Sequence, residues 1–193
     1  MHFHTLNPNL LLGYHGCDAG VGEALLAGQA FQPSENAYDW LGPGIYFWES
    51  NPLRALSFAE EQVDRKRIKK PFVVGAVLSL GRCVDTLNEN CLSAITDAYD
   101  FLKETLTEAG EAMPVNSGSG LWQRNLDCAV LKVLHQFAED EKQPIDSIRA
   151  LYHEGGSLYP NAGFYKKSHV QIAICNTECI KGVFRVDQSA LQL

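Results

Sequence analysis

The ten residues PFVVGAVLSL at 71–80 constrain this chain more than any other stretch. The run is apolar and β-branched over most of its length with no polar alternation, which is the pattern of a central strand buried on both faces. A sheet-centred fold follows. The chain has the material to cover such a sheet, because 46% of its 193 residues are hydrophobic and 20% are charged. Those proportions fit one globular domain and exclude a disordered, collagen-like or coiled-coil chain.

Residues 9–14 form a compact apolar run read as a first strand, followed by a turn at HGCD. Asp18 then caps a short helix carrying Val21, Ala24 and Leu25, with Gly28 near its C-terminus. After the polar loop PSENAYDWLGPG comes a second strand at 44–48. Asn51 followed by Pro52 starts a helix through Leu53, Leu56, Ala59 and Val63. That helix is expected to end in the basic run 65–70, read as a solvated helix terminus or, secondarily, as a binding patch. Leu92, Ile95, Tyr99, Leu102 and Leu106 mark an amphipathic helix ending near Gly110, and residues 123–138 mark another. Short strands follow at 147–152, 169–175 and 182–186. Strands and helices mix without strict alternation, so the fold class is α+β with a partly antiparallel sheet.

With 16 Lys+Arg against 23 Asp+Glu the formal charge is −7, which argues against electrostatic wrapping of duplex DNA. Six scattered cysteines without a CxxC pair read as reduced thiols, and the spacing of Cys175 and Cys179 offers no second pair to complete a zinc site. No signal peptide is legible in the first residues and no run is long enough to span a membrane, so a cytoplasmic protein without a membrane partner is expected.

Three segments carry polar groups where packing alone would not ask for them. In YHGC at 14–17 a strand ends in His15, and the bare Gly16 backbone permits close approach of a flat ligand. In DWLGPGIYFW at 39–48, alternation puts Tyr46 and Trp48 on one face and Ile45 and Phe47 on the other. In SHVQIAIC at 168–175, Val170, Ile172 and Ile174 share one face, leaving His169, Gln171, Ala173 and Cys175 opposite. Each also has a bland reading: a hydrogen-bonded structural histidine, a core tyrosine, a glutamine capping a sheet face.

Taken in order, the HG after the first strand, the GxGIYF strand, the helix beginning SNPLRALSFA and the VVGAVLSLG strand resemble the ADP-ribosyltransferase superfamily. The closer likeness is to its diphtheria-toxin and poly(ADP-ribose) polymerase branch, defined by a His, Tyr, Glu triad. It covers roughly residues 11–80 and 168–186, and bacterial proteins with YDWLGxGIYFW look similar. The resemblance implies a split β-sheet core with flanking helices, a helical insertion at about 89–138, and NAD as the bound dinucleotide. It makes His15 the partner of a ribose hydroxyl, Gly16 the holder of the nicotinamide carboxamide through its backbone, and Tyr46 the platform under the ring with its hydroxyl still available to a partner. By the same analogy Ser34 and Glu35 lie near the adenosine.

Gln171 stands where the family has its glutamate. A glutamine keeps the hydrogen bond to the ribose but brings no negative charge to the oxocarbenium-like transition state. Polymer synthesis is therefore not expected, and slow or single transfer is. Glu154 is the alternative acid, and Arg149 is read as its ion-pair partner or as a contact for the pyrophosphate. Tyr159, Phe164 and Tyr165 beside Lys166 and Lys167 are read as stacking on bases of a single-stranded nucleic acid or as pins for a long loop. The resulting expectation is an NAD-dependent mono-ADP-ribosyltransferase acting on a protein or nucleic-acid acceptor, as a toxin or effector with an immunity or antitoxin partner. The runner-up is an NAD- or ADP-ribose-binding module without turnover, and the third reading is NAD hydrolysis.

Overall fold

The computed structural model describes residues 10–118 and 123–191. Asn9, the expected start of the first strand, and part of the NSGSG loop lie outside them. The apolar run is strand β3 (Pro71–Ser79), whose central residues 72–76 are all buried. It pairs antiparallel with β1 (Leu10–Asp18) over nine positions, from Leu10 opposite Ser79 to Asp18 opposite Pro71. The expected turn at HGCD does not form. A nine-residue partner strand satisfies the backbone groups of His15, Gly16 and Cys17 in the ladder, and that outweighs the local turn signal. Asp18 caps α1 (Ala19–Leu26), its side chain accepting from the Gly20 N–H as expected.

The remaining elements are β2 (Ile45–Glu49), α2 (Pro52–Asp64), β4 (Cys83–Asp85), α3 (Glu89–Ala109), α4 (Asn125–Asp140), β5 (Ser147–Tyr152), β6 (His169–Ile174) and β7 (Ile180–Arg185). Helix α2 is capped by the Asn51 side chain with Pro52 in its first turn, and α3 ends on the left-handed Gly110. The short β4 has no counterpart in the sequence reading. The basic run lies beyond α2 and not in it: the helix stops at Asp64, and Lys66 takes a left-handed φ of 57°.

These strands make one seven-stranded sheet in the order β4-β5-β6-β2-β1-β3-β7. Every neighbouring pair is antiparallel except β4 with β5, so the α+β reading with a mostly antiparallel sheet holds. One face buries Ile45, Phe47, Val74, Leu78, Ile172 and Ile174 with Leu25 of α1. On the other face, α2 packs over Trp48 and Val73, and α3 with α4 packs over Ile148, Ala150 and Ala173. The two helical packages meet the same face at β2 and β6, α2 at Trp48 and α3 with α4 at Ala173. β1 and β2 pair at only two positions, Gly13 with Glu49 and Tyr14 with Trp48, and then part. No described helix is long and apolar enough to cross a membrane.

Candidate functional site

Residues of β2 and β6 on this face floor a cavity of about 360 Å³ that His15 of β1 also lines. That volume lies within the range of small-molecule sites. Alternation builds its floor: Trp48 of β2 sits opposite Gln171 of β6, which sits opposite Ala150 of β5, so all three share a face. Tyr46 is two residues from Trp48 on the same face. His15, Ser34, Tyr46, Glu154 and Gln171 all line this cavity.

His15 lies on the opposite sheet face, packed against Phe31 and Phe47, and reaches the site where β1 and β2 part. Its Nδ1 is 2.8 Å from the Tyr46 carbonyl oxygen. A carbonyl only accepts, so Nδ1 carries the proton and Nε2 is left as the acceptor. Burial holds the imidazole below its usual pKa despite that bond, so the ring is neutral. Ser34 is fixed by a two-way backbone bridge to Gly44, and its hydroxyl accepts from the Asn36 amide at 2.8 Å. Glu35 is exposed and not in the cavity wall.

The Tyr46 hydroxyl, expected to be available to a partner, has two within the protein: it accepts from the Leu41 N–H at 3.0 Å and donates to the Gly42 carbonyl at 2.7 Å. Burial pushes the phenol well above its ordinary pKa. These bonds tie the LGPG turn down onto the strand that follows it and leave the ring as the group Tyr46 offers the cavity. Gln171 accepts a short hydrogen bond at its amide oxygen from the Trp40 indole N–H, and Trp40 in turn leans on Tyr152 with ring centroids 4.6 Å apart.

Gly16 is not in the cavity wall. An added Cβ there would lie 2.1 Å from the Ala55 carbonyl oxygen, so the glycine is required by the packing of α2 on β1. Arg149 is also elsewhere. Its register opposite Ile172 turns it to the far face of the sheet, away from Gln171, where it binds Glu49 at 2.6 and 3.0 Å and Asp85 at 3.0 Å. Glu154 is bound instead by Arg54 of α2 at 2.8 Å. All six cysteines are free, and burial pushes the Cys175 thiol up to about 12 beside the Pro43 carbonyl and His135. Among the described residues no group of three or more His, Cys, Asp or Glu is placed to hold a metal.

The sequence reading missed the α2 wall. Arg54, Phe58, Glu61 and Gln62 line the cavity at spacings of four, three and one, one stripe of a helix face, and Arg65 and Arg67 of the basic run, read secondarily as a binding patch, line it from beyond the helix. That polar stripe opposite the apolar one was the available signal. Trp40, Tyr152 and Arg124 complete the walls, and Arg124 lies over the Tyr152 ring at 5.3 Å. No family model, no curated protein and no solved structure matches this chain.

Proposed function

We propose that this protein is an NAD-dependent mono-ADP-ribosyltransferase that cleaves the nicotinamide bond of NAD and transfers single ADP-ribose units. One observation carries the reading: His15, Tyr46 and Gln171, from three strands far apart in the chain, line a single cavity, in the order the sequence resemblance requires. The residues fit the dinucleotide by chemistry. Tyr46 and Trp40 offer ring faces to a flat base, and Arg54, Arg65, Arg67 and Arg124 bring positive charge to the walls in a chain whose net charge is −7. On this reading the place where β1 and β2 part is taken as the sheet split that the resemblance implies, and α3 with α4 as its helical insertion.

In this reading the neutral His15 accepts a ribose hydroxyl at Nε2, its ring aimed by the Tyr46 carbonyl. The Tyr46 ring supports the nicotinamide, and Gln171 holds the 2′-hydroxyl next to the carbon where positive charge develops. Glu154 supplies the negative charge that Gln171 lacks, from a position fixed by Arg54. Trp40 must release the Gln171 oxygen as the ribose enters. Incubation of the full chain with adenine-labelled NAD, followed by measurement of released nicotinamide and of ADP-ribose adducts on lysate protein and RNA, tests the reading. Release with adduct supports it, and absence of both in an NAD-saturated sample refutes it.

The occupied Gln171 oxygen and the uncharged side chain at that position favour, as the second reading, a module that binds NAD or ADP-ribose without turnover. Saturable NAD binding without nicotinamide release would select it. Free ADP-ribose without adduct would select NAD hydrolysis.

A further inference from the structure

A second cavity, of about 400 Å³, lies between α3, α4 and the sheet. Leu92, Ile95 and Tyr99 of α3 form one wall, and Leu126, Val130 and Leu131 of α4 form the other. The α3 residues recur at three and four, so they share one face of that helix. This face is not closed by the fold: of the 21 residues of α3 only Ala98 is buried, and Leu92 is 46% exposed. The cavity is therefore a groove open to solvent between two helices. An apolar groove of this kind is the host surface of helix-in-groove recognition, in which a guest helix sets anchors at i, i+3, i+4 and i+7 into it.

Charge decides which guest fits. Residues 86–142 hold ten Asp and Glu against four Lys and Arg, a net of −6, whereas the rest of the chain holds thirteen against twelve. Nearly all of the net charge of −7 thus belongs to the two helices and their connections. On α3, Asp97, Asp100, Glu104 and Glu108 recur at three and four and are all exposed, and α4 ends in Glu139 and Asp140. Arg124 in the groove wall is already paired with Asp127 at 3.2 Å. Such a surface draws in a basic guest and repels an acidic one. It also opposes a second copy of this chain, because a two-fold pair through the groove would set two acidic surfaces against each other.

We propose that the groove between α3 and α4 docks an amphipathic helix of a partner protein, with aliphatic anchors in the groove and Lys or Arg on the guest's polar face against the carboxylates of α3. The groove abuts the first cavity, since Trp40 and Arg124 line both. Trp40 also donates to the Gln171 amide oxygen. An anchor in the groove therefore meets the same indole that occupies Gln171, and docking is felt on the floor of the first cavity. The inference stands apart from the transferase reading, because no NAD chemistry enters it.

The test uses the full chain and a fluorescein-labelled peptide of Leu and Lys with its Leu at helical spacing. One control carries Glu for Lys, and the other has the same Leu and Lys content in strict alternation. Anisotropy is expected to give at least tenfold tighter binding of the helical Leu–Lys peptide than of either control, weakening as salt is raised. Leu92→Glu, at a half-exposed position, adds negative charge yet should weaken binding at least tenfold. Asp100→Lys with Glu104→Lys, both exposed, should weaken it as much with the melting temperature unchanged. Docking should shift the tryptophan emission, and Trp40→Phe should remove most of the shift. Equal binding of the three peptides overturns the inference, as does emission that the peptide leaves unchanged. Undiminished binding to the Leu92→Glu variant also overturns it, since attraction by charge alone is then enough. Self-association that Leu92→Glu abolishes overturns it in favour of a second copy. Saturable uptake of N-phenyl-1-naphthylamine that the helical peptide does not displace overturns it in favour of a small apolar ligand.

Discussion

Lowering the pH from 7.5 to 5.5 should destabilise this protein by an amount that its histidines set. Burial holds His15, His135 and His169 below the ordinary histidine value of 6.5. For His169, the bond to the Lys167 carbonyl and the nearby Glu154 and Glu61 counteract burial, and Arg54 adds to it. A group whose folded pKa is depressed takes up its proton first in the unfolded chain. Stability is therefore complete above 6.5 and falls as the pH drops through it. At pH 5.5 the unfolded form of each histidine is protonated about ten to one, worth up to about 1.4 kcal/mol per residue if the folded form stays neutral. Three residues give a limit of about 4 kcal/mol, a large share of a typical total of about 5–15 kcal/mol. The carboxylates held low by hydrogen bonds, Asp18, Glu23, Asp146 and Asp187, act only as the pH approaches their unfolded values of 3.8 to 4.5, outside this window. Urea unfolding at pH 7.5, 6.5 and 5.5 should show a falling midpoint at constant slope, with His135→Gln removing up to a third of the fall. A midpoint that does not move over this range refutes the burial of these rings.

Five substitutions at four positions probe the site and its frame. Gln171→Glu should raise nicotinamide release by about 10- to 100-fold, and Gln171→Ala should lower it. The estimate starts from roughly 4 kcal/mol for a unit charge about 4 Å from a cation at an effective dielectric of 20, reduced because the amide already supplies part of it; unchanged turnover in both variants sinks the assigned role. Glu154→Gln keeps an acceptor for Arg54 and removes the charge, so release should fall about tenfold or more with little change in melting temperature. Arg149→Gln strands Glu49 and Asp85 on the far face and should lower stability by about 1–3 kcal/mol in chemical denaturation, with the KM for NAD unaltered. Gly16→Ala should destabilise by about 3 kcal/mol or more, because the clash is with the Ala55 backbone and only a shift of α2 relieves it; a variant as stable as the parent removes the packing account of this glycine.

Much of the frame was legible along the chain. Strands at 71–80 and 147–152, the Asp18 and Asn51 caps and the Gly110 stop announce themselves by local chemistry: β-branched runs, side-chain oxygens that satisfy helix N–H groups, and a residue that tolerates left-handed φ. Period-two alternation also placed Tyr46 with Trp48, and Gln171 with Ala173, on a common face. The length of β1 was not legible, since the nine-position pairing with β3 carries the strand through residues that alone favour a turn.

Partners that meet across the fold were decided only in three dimensions. Arg149 and Glu154 are five residues apart, yet the sheet turns Arg149 to Glu49 and Asp85, while Arg54, one hundred residues from Glu154, takes its carboxylate. The Tyr46 hydroxyl bonds and the Trp40 bond to Gln171 have the same origin. Local propensity and periodicity act over a few residues and so fix which elements form and which face each side chain takes. Hydrogen bonds between groups distant in sequence depend on strand order and helix placement, which the packing of the whole sheet determines.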